Sequence, residues 1–221
     1  MNGHAPHSSH PSGSGLTPGT GEKGTLNIIF HGSFVYRLFE KKKMIEPAKI
    51  VTGDMLIGLA STGLHSNGYS LARKVLLEKG RMKLHRLIPD LGRTLAEELL
   101  EPTRIYAKIT GKLFEKFQIK GAAHITGGGI TGNLPRILPS GRHAVIERQS
   151  WPVPAIFKLI QRIGGVAQNE MDRTFNNGLG MILIVGKKQA DAVMRTIAGI
   201  GEKCFIIGEI RNGARDVTIR A

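Results

Sequence analysis

Short apolar runs and helical repeats alternate along residues 34–221. The runs at residues 55–60 and 180–185 have the length and character of buried strands. Residues 155–163 carry apolar side chains at the i, i+3, i+4, i+7 spacing of one helix face, and residues 190–197 repeat it. The pattern predicts a fold of the α/β class (α+β type), in which helices pack on a mixed sheet.

Two further segments carry local signals of secondary structure. Residues 205–210 and 216–220 are strand-like, and the turn dipeptide at residues 212–213 predicts a hairpin between them. Residues 91–117 are mainly helical in pattern, but Pro102 must break that helix or start a new one.

Glycines in two loops make these loops candidates for anion binding, because glycine permits positive φ and a close approach of backbone N–H groups to a ligand. The first candidate, which we name the triglycine loop, follows His124 and consists of Thr126, Gly127, Gly128 and Gly129. A tight turn that needs flexible residues is the alternative interpretation, and turn chemistry alone does not separate the two.

The second candidate, which we name the 61–70 loop, lies between a predicted strand and a helical segment at residues 71–79. Such an order can place an anion at a helix N-terminus. Gly63 and Gly68 have the spacing of a P-loop, but Tyr69 stands where a Walker A motif needs lysine. The sequence therefore excludes a P-loop ATPase and leaves a phosphate-accepting turn.

Charge and composition limit the partners. The 31 basic and 17 acidic residues give a net charge of +14, which favours an anionic partner. Aromatic residues are too few for the stacking pattern of single-strand binders, so we expect a phosphorylated small molecule and no nucleic acid. A lone cysteine, Cys204, and the lack of an 18-residue apolar run predict a cytoplasmic protein without a membrane partner.

The beginning of the chain differs in composition from the rest. Residues 1–33 are predicted to be a low-complexity, disordered tail, because they hold too few apolar residues to offset the entropy of ordering. Residues 34–221 are predicted to form one domain. The histidines of the tail have no carboxylate or cysteine at ligand spacing, so no metal site is predicted.

Six sequence blocks occur in the order found in phosphoribosylformylglycinamidine cyclo-ligases, also called aminoimidazole ribonucleotide synthetases. From about residue 39 to residue 220 the chain resembles the carboxy-terminal domain of that family, and so many blocks in register make the resemblance specific. The blocks are residues 63–71, 100–106, 123–129, 133–136, 151–154 and 174–181.

The resemblance implies a step of purine biosynthesis. ATP, with Mg²⁺, activates the formamide oxygen of formylglycinamidine ribonucleotide, and an internal nitrogen then closes the imidazole ring. Complete members are implied to be homodimers and to begin with another domain, which carries the acidic residues for Mg-ATP. Residues before Phe34 match nothing in that domain, so we expect this chain alone to be incomplete or inactive. The alternative is a non-catalytic, phosphate-binding interaction module that pairs with a separate nucleotide-binding chain.

The resemblance also suggests roles for individual residues. His124 and His65 are the candidate catalytic residues, since imidazole can transfer a proton or stabilise an oxyanion near neutral pH. Ser66 or Asn67 can equally cap a helix, and Asn176 can cap a turn, without any ligand. The predicted substrate- or phosphate-binding residues are Ser66, Asn67, Gly68, Thr126, Gly127, Gly128, Gly129 and Asn176.

Overall fold

Eight strands are found in residues 45–221, the part of the chain that the computed structural model describes. The predicted tail, residues 1–33, and the predicted start of the domain, residues 34–44, lie outside the described residues. The strands are β1 (Met55–Ala60), β2 (Leu87–Ile88), β3 (Arg93–Thr94), β4 (Ile119–His124), β5 (Arg142–Glu147), β6 (Leu179–Val185), β7 (Cys204–Asn212) and β8 (Val217–Arg220).

Six of these strands form one mixed sheet, in the order β4-β6-β1-β7-β5-β8. Neighbouring strands are antiparallel except β5 and β8, which are parallel. Strands β2 and β3 form a separate two-stranded ribbon. The mixed sheet with helices confirms the predicted fold class, and the apolar runs at residues 55–60 and 180–185 are confirmed as β1 and β6.

Seven α-helices accompany the strands in the region from residue 45 to residue 221. A π-helical segment (Lys74–Lys79) continues the first of them, so the helix predicted at residues 71–79 changes its hydrogen-bonding pattern midway. The helices are α1 (Tyr69–Arg73), α2 (Leu95–Leu99), α3 (Ala107–Lys116), α4 (Gly129–Asn133), α5 (Ala155–Gly164), α6 (Gln168–Thr174) and α7 (Ala190–Ala198). Pro102 lies between α2 and α3, as its predicted helix-breaking role requires.

The predicted hairpin between β7 and β8 is wrong. Strand β5 lies between them and pairs with β7 on one side and with β8 on the other. The pairing is close, because a Cβ at Gly208 would overlap the carbonyl oxygen of Val145. The dipeptide at residues 212–213 therefore marks only the end of β7. A local turn signal cannot reveal that an earlier strand already occupies the neighbouring position.

The sheet is covered on both faces. Successive residues of β1 point to opposite faces, and Leu56 and Ile57 accordingly belong to different buried clusters. Helices α3 and α7 pack on the face that Ile57 enters. A third cluster joins α5 to α1 and the π-helical segment, and there the predicted apolar face of α5 is confirmed by buried Ile156 and Ile160.

Strand order brings the two glycine-containing loops to the same end of the sheet. Strands β1 and β4 flank β6 and are both antiparallel to it. Ala60, at the end of β1, is paired with Leu179, and His124, at the end of β4, is paired with Met181. The 61–70 loop and the triglycine loop therefore both begin beside the first residues of β6.

Candidate functional site

The two loops are in contact. The amide oxygen of Asn67 lies 3.4 Å from the position that a Cβ at Gly127 would take. A side chain of the 61–70 loop thus reaches the triglycine loop, and the structure brings together residues that are about 60 positions apart in the sequence. This junction is the candidate binding site.

Three aromatic side chains form a ring cluster beside that junction, and two of them, His65 and Tyr106, pack against Gly180 of β6. The ring centroids of His65 and Tyr106 are 6.1 Å apart, and those of Tyr106 and His124 are 5.9 Å apart. A Cβ at Gly180 would overlap the Tyr106 hydroxyl and would lie 2.6 Å from Cε1 of His65. Glycine at this position therefore makes room for the ring cluster, which contains both predicted catalytic histidines.

His65 is held in an unusual environment. Its φ is +58°, a left-handed conformation that is rare for residues other than glycine, and the residue is 4% exposed. The backbone N–H of Thr62 donates a hydrogen bond of 3.1 Å to Nε2. Nδ1 is buried and has no hydrogen-bond partner among the described residues.

The protonation state of His65 follows from these contacts. The pKa of His65 is lowered to about 4, chiefly by burial and to a lesser extent by electrostatic repulsion from His124 and Arg104. The ring is therefore neutral at pH 7. Because Nε2 accepts the Thr62 N–H, the proton must lie on Nδ1. His65 thus holds a buried N–H donor to which the described residues offer no acceptor.

Tyr106 supports the ring cluster from the start of α3. Its hydroxyl donates a hydrogen bond of 2.8 Å to the carbonyl oxygen of Ala60, and burial raises the pKa of Tyr106, so the hydroxyl stays protonated. Neither Tyr106 nor the nearby Arg104, which forms an ion pair with Glu202, is predicted as a site residue from the sequence. Neither residue belongs to a local chemical pattern. The one sequence feature that includes them is the family block at residues 100–106.

The triglycine loop is closed by Asn133. Its amide nitrogen donates to the carbonyl oxygens of Gly129 (2.8 Å), Gly127 (3.2 Å) and Thr126 (3.3 Å), and Thr126 Oγ1 lies 3.3 Å from Asn133 Oδ1. Gly128 and Gly129 have φ values of +99° and +59°. The alternative interpretation, a tight turn, therefore accounts for Gly128 and Gly129 without a ligand.

Gly127 differs from its two neighbours. It has no positive φ, it is exposed, and the closest atom to a Cβ at this position would be the Asn67 oxygen. Local backbone conformation therefore does not require glycine at this position. The Asn67 oxygen would be in ordinary van der Waals contact with such a Cβ, so the binding role of Gly127 stays a prediction.

The residues of the 61–70 loop separate into two groups. Gly68 precedes α1 with a φ of +79° and is the N-cap of that helix, without any side-chain capping bond. The alternative that Ser66 or Asn67 caps the helix is therefore wrong. A Cβ at Gly68 would overlap the ring of Phe175, so packing alone requires this glycine. Ser66 is exposed, and its hydroxyl is 2.9 Å from that of Thr103.

Asn176 joins the 61–70 loop to the start of β6. Its side chain donates to the carbonyl oxygens of Gly63 (2.9 Å) and Leu64 (3.2 Å), and it accepts from the Ser61 hydroxyl (2.9 Å) and the Gly178 N–H (2.8 Å). An asparagine side chain can form four such bonds, and all four are used within the protein. The substrate-binding role of Asn176 stays a prediction, while its bond to Gly178 is that of a turn-capping residue.

No cluster of three or more histidine, cysteine, aspartate or glutamate residues lies close enough together to hold a metal ion within residues 45–221. The helices of this region are also too short or too polar for any of them to cross a membrane.

Solved structures of other proteins share the fold of this chain. The chain has the fold of thiamine-monophosphate kinase from Stenotrophomonas maltophilia K279a, with a TM-score of 0.56, 17% identity, and coverage of 82% of this chain and 54% of that one. It also has the fold of E. coli HypE, a hydrogenase maturation protein, with a TM-score of 0.50, 16% identity, and coverage of 79% and 48%.

Sequence comparison identifies the family. Residues 51–220 match the family described as AIR synthase related protein, C-terminal domain, and the chain belongs to that family. A phosphoribosylformylglycinamidine cyclo-ligase from Citrifermentans bemidjiense is 50% identical over 80% of this chain and 51% of its own length. Another from Brevibacillus brevis is 46% identical over 90% of this chain and 57% of its own length. The chain thus spans about half the length of the curated relatives it matches.

Proposed function

We propose that residues 45–221 bind formylglycinamidine ribonucleotide for its ATP-dependent ring closure to aminoimidazole ribonucleotide, the reaction of a phosphoribosylformylglycinamidine cyclo-ligase. The relatives named for this activity are 46–50% identical to the chain. The observation that carries the proposal for this site is the buried Nδ1–H of His65, which has no partner within residues 45–221 and lies beside the junction of the two loops.

His65 is suited to donate a hydrogen bond to the amide oxygen that is activated. Its ring stays neutral at pH 7, so it offers a fixed donor without bringing a second proton to the site. Leaving a buried donor unpaired costs about 1–3 kcal/mol, and a ligand oxygen at Nδ1 would recover that cost. Such a donor stabilises negative charge that develops on oxygen in the transition state.

We assign proton transfer to His124 and binding of the substrate phosphate to the two loops. ATP supplies a phosphoryl group that makes the amide oxygen a leaving group. His124 is the last residue of β4, and it is exposed beside Tyr106. We assign to it the role of accepting the proton that the attacking nitrogen loses on ring closure. Asn67 and Gly127 hold the phosphate of the substrate where the two loops meet, with Ser66 and Thr126 on either side.

The charge near the site suits an anionic substrate. Burial is the main cause of the depressed pKa of His65, and the guanidinium of Arg104 contributes to it, so positive charge lies near the site. The described residues do not fit Mg²⁺, because they contain no acidic cluster that could hold it, and we derive no step through that ion. The homodimer implied for complete relatives stays a prediction.

The test is calorimetric titration of the purified 221-residue chain with formylglycinamidine ribonucleotide, with and without Mg-ATP, while ring closure is assayed in the same samples. Asn67→Ala is expected to weaken binding about tenfold, since it removes one polar contact to the phosphate. His85→Ala, at an exposed histidine outside both loops, is the control and should bind as the parent does.

The outcomes separate the alternatives. Substrate binding without turnover supports the binding role, and turnover shows that the chain is active by itself. Equal binding of ribose 5-phosphate would instead favour the non-catalytic, phosphate-binding module. If the substrate does not bind at all, the proposed function is wrong.

A further inference from the structure

A cleft of about 440 Å³ lies between the end of the π-helical segment and α5. Its volume is within the range of about 300–1,000 Å³ that small-molecule sites occupy. None of its lining residues belongs to the 61–70 loop or the triglycine loop. The cleft is therefore separate from the junction of the two loops.

Three arginines line this cleft, together with a single carboxylate. Asp90 provides the carboxylate, and it is paired with Arg162 at 2.5 Å. Arg81 and Arg86 form no ion pair and no side-chain hydrogen bond with any residue from 45 to 221. The cleft thus presents two guanidinium groups that a bound anion can pair with, and guanidinium geometry matches a phosphate through two parallel hydrogen bonds.

The backbone of Arg81 is in a conformation that is unfavourable for arginine. Its φ is +47°, at the turn that ends the π-helical segment, where the Met82 N–H bonds the carbonyl oxygen of Leu76. Glycine is the residue that adopts this left-handed conformation at a helix end without strain. Arg81 thus places a guanidinium that has no partner within residues 45–221 at a position where glycine would be less strained.

The remaining walls of the cleft are apolar. Leu87 is 61% exposed and faces it, together with Ile88 and Ile163. An inorganic phosphate would leave these walls bare, and an uncharged ligand would leave the two arginines unpaired. The lining matches a ligand that has both an anionic group and a flat apolar body, because arginine also stacks on aromatic rings.

We propose that this cleft binds a phosphate monoester with an aromatic body, of which a purine nucleoside monophosphate is the representative. The phosphate pairs with Arg81 and Arg86, and the ring system lies against Leu87 and Ile163. The inference is independent of the ring-closure function, since the two sites share no residue.

The test uses the 221-residue chain with labelled isoleucine methyl groups, titrated separately with adenosine monophosphate, adenosine and inorganic phosphate. Adenosine monophosphate is expected to shift the methyl signals of Ile88 and Ile163 in a saturable manner. It should also bind at least about tenfold more tightly than either of its parts, because only the intact monoester uses both the arginines and the apolar walls.

Substitutions distinguish a binding role from a structural one. Arg81→Gly is expected to raise the melting temperature by relieving the strained backbone, and yet to weaken adenosine monophosphate binding about tenfold. Arg86→Gln should weaken binding to a similar extent. Lys158→Gln, on the same helix as Arg162 but outside the cleft, is the control and should bind as the parent does.

Three results would overturn the proposal. One is the lack of any saturable shift at Ile88 and Ile163. Another is binding of adenosine monophosphate no tighter than that of inorganic phosphate, which would show that the apolar walls take no part. The third is unchanged affinity in both Arg81→Gly and Arg86→Gln.

Discussion

The backbone N–H of Thr62 donates to Nε2 of His65, and this one contact determines which nitrogen of the ring carries the proton. Nε2 must act as the acceptor, so the neutral ring is protonated at Nδ1. The same contact fixes the orientation of the ring between Tyr106 and Gly180. Histidines in active sites often act as general bases, but the geometry at His65 is that of a neutral hydrogen-bond donor.

The low pKa of His65 predicts a loss of stability in mild acid. In the unfolded chain His65 takes up a proton near pH 6.5, whereas in the folded protein it does so only near pH 4. The unfolded state therefore binds more protons as the pH falls from 6.5 to 4, and the contribution of a neutral His65 is lost over that window. We expect a loss of about 2 kcal/mol, below the full value of the shift because solvent and salt screen the neighbouring charges.

Urea unfolding of the parent and of His65→Gln at pH 7.5 and pH 4.5 measures this effect. The parent should lose about 2 kcal/mol more than His65→Gln between the two pH values. His85→Gln, at an exposed histidine, should behave as the parent does. An identical loss in the parent and in His65→Gln would show that the ring is protonated as readily in the folded state as in the unfolded one.

Alanine substitutions at Gly129 and Gly132, which lie in the same short helix, are expected to have different effects on the free energy of unfolding. A Cβ at Gly129 would overlap the carbonyl oxygen of Asp172, and the φ of +59° is unfavourable for alanine. Gly129→Ala should therefore cost at least about 2 kcal/mol of unfolding free energy. A Cβ at Gly132 has no heavy atom within 4 Å, so Gly132→Ala should be neutral or stabilising by about 0.5 kcal/mol. Thermal unfolding of both variants tests the pair, and equal destabilisation would contradict it.

Replacement of Asn176 by alanine removes four hydrogen bonds at once. Two carbonyl oxygens, one backbone N–H and one hydroxyl are then left without their partner in a buried setting. The expected cost is about 3 kcal/mol or more. Asn169→Ala, at an exposed asparagine on α6, should stay within about 0.5 kcal/mol of the parent. A comparably small effect at Asn176 in denaturant unfolding would rule out its structural role.

The hydroxyl and the ring of Tyr106 can be separated by two substitutions. Tyr106→Phe removes only the bond to Ala60 and should cost about 1 kcal/mol. Tyr106→Ala also removes the ring that packs between His65 and His124, and should cost about 3–5 kcal/mol. Calorimetric melting distinguishes the two, and similar melting temperatures for both variants would show that the ring contacts add nothing.

Local sequence predicted those elements whose signals are local. The periodic apolar residues of α5 and the continuous apolar runs of β1 and β6 were sufficient to predict these elements. The spacing of apolar residues indicates which face of an element is buried. The pairing of β8 was not predictable from Asn212-Gly213, since the neighbour of a strand depends on segments far away in the chain. The same limit applies to the left-handed His65, where the surrounding packing overrides the intrinsic preference of the residue.

The candidate site was predictable in its parts but not in its arrangement. Both loops were selected from their glycines, and their meeting through Asn67 and Gly127 follows from the positions of β1 and β4 on either side of β6. Tyr106 was missed because a tyrosine before a helix has no distinctive pattern. The glycines were compatible with both anion binding and a tight turn. The atoms that surround them in the structure show that packing requires Gly129, whereas Gly127 faces the other loop.

The position of β1 in the sheet affects how the protein can be synthesised. This strand is complete at residue 60, yet its two neighbours in the sheet are β6 and β7, which end at residues 185 and 212. A growing chain must therefore carry an unpaired apolar strand until most of its length has left the ribosome. Long-range pairing of this kind slows folding and exposes strand edges to other chains. Aggregation during expression is consequently expected to begin at β1, and a chaperone that shields residues 55–60 should raise the yield of folded protein.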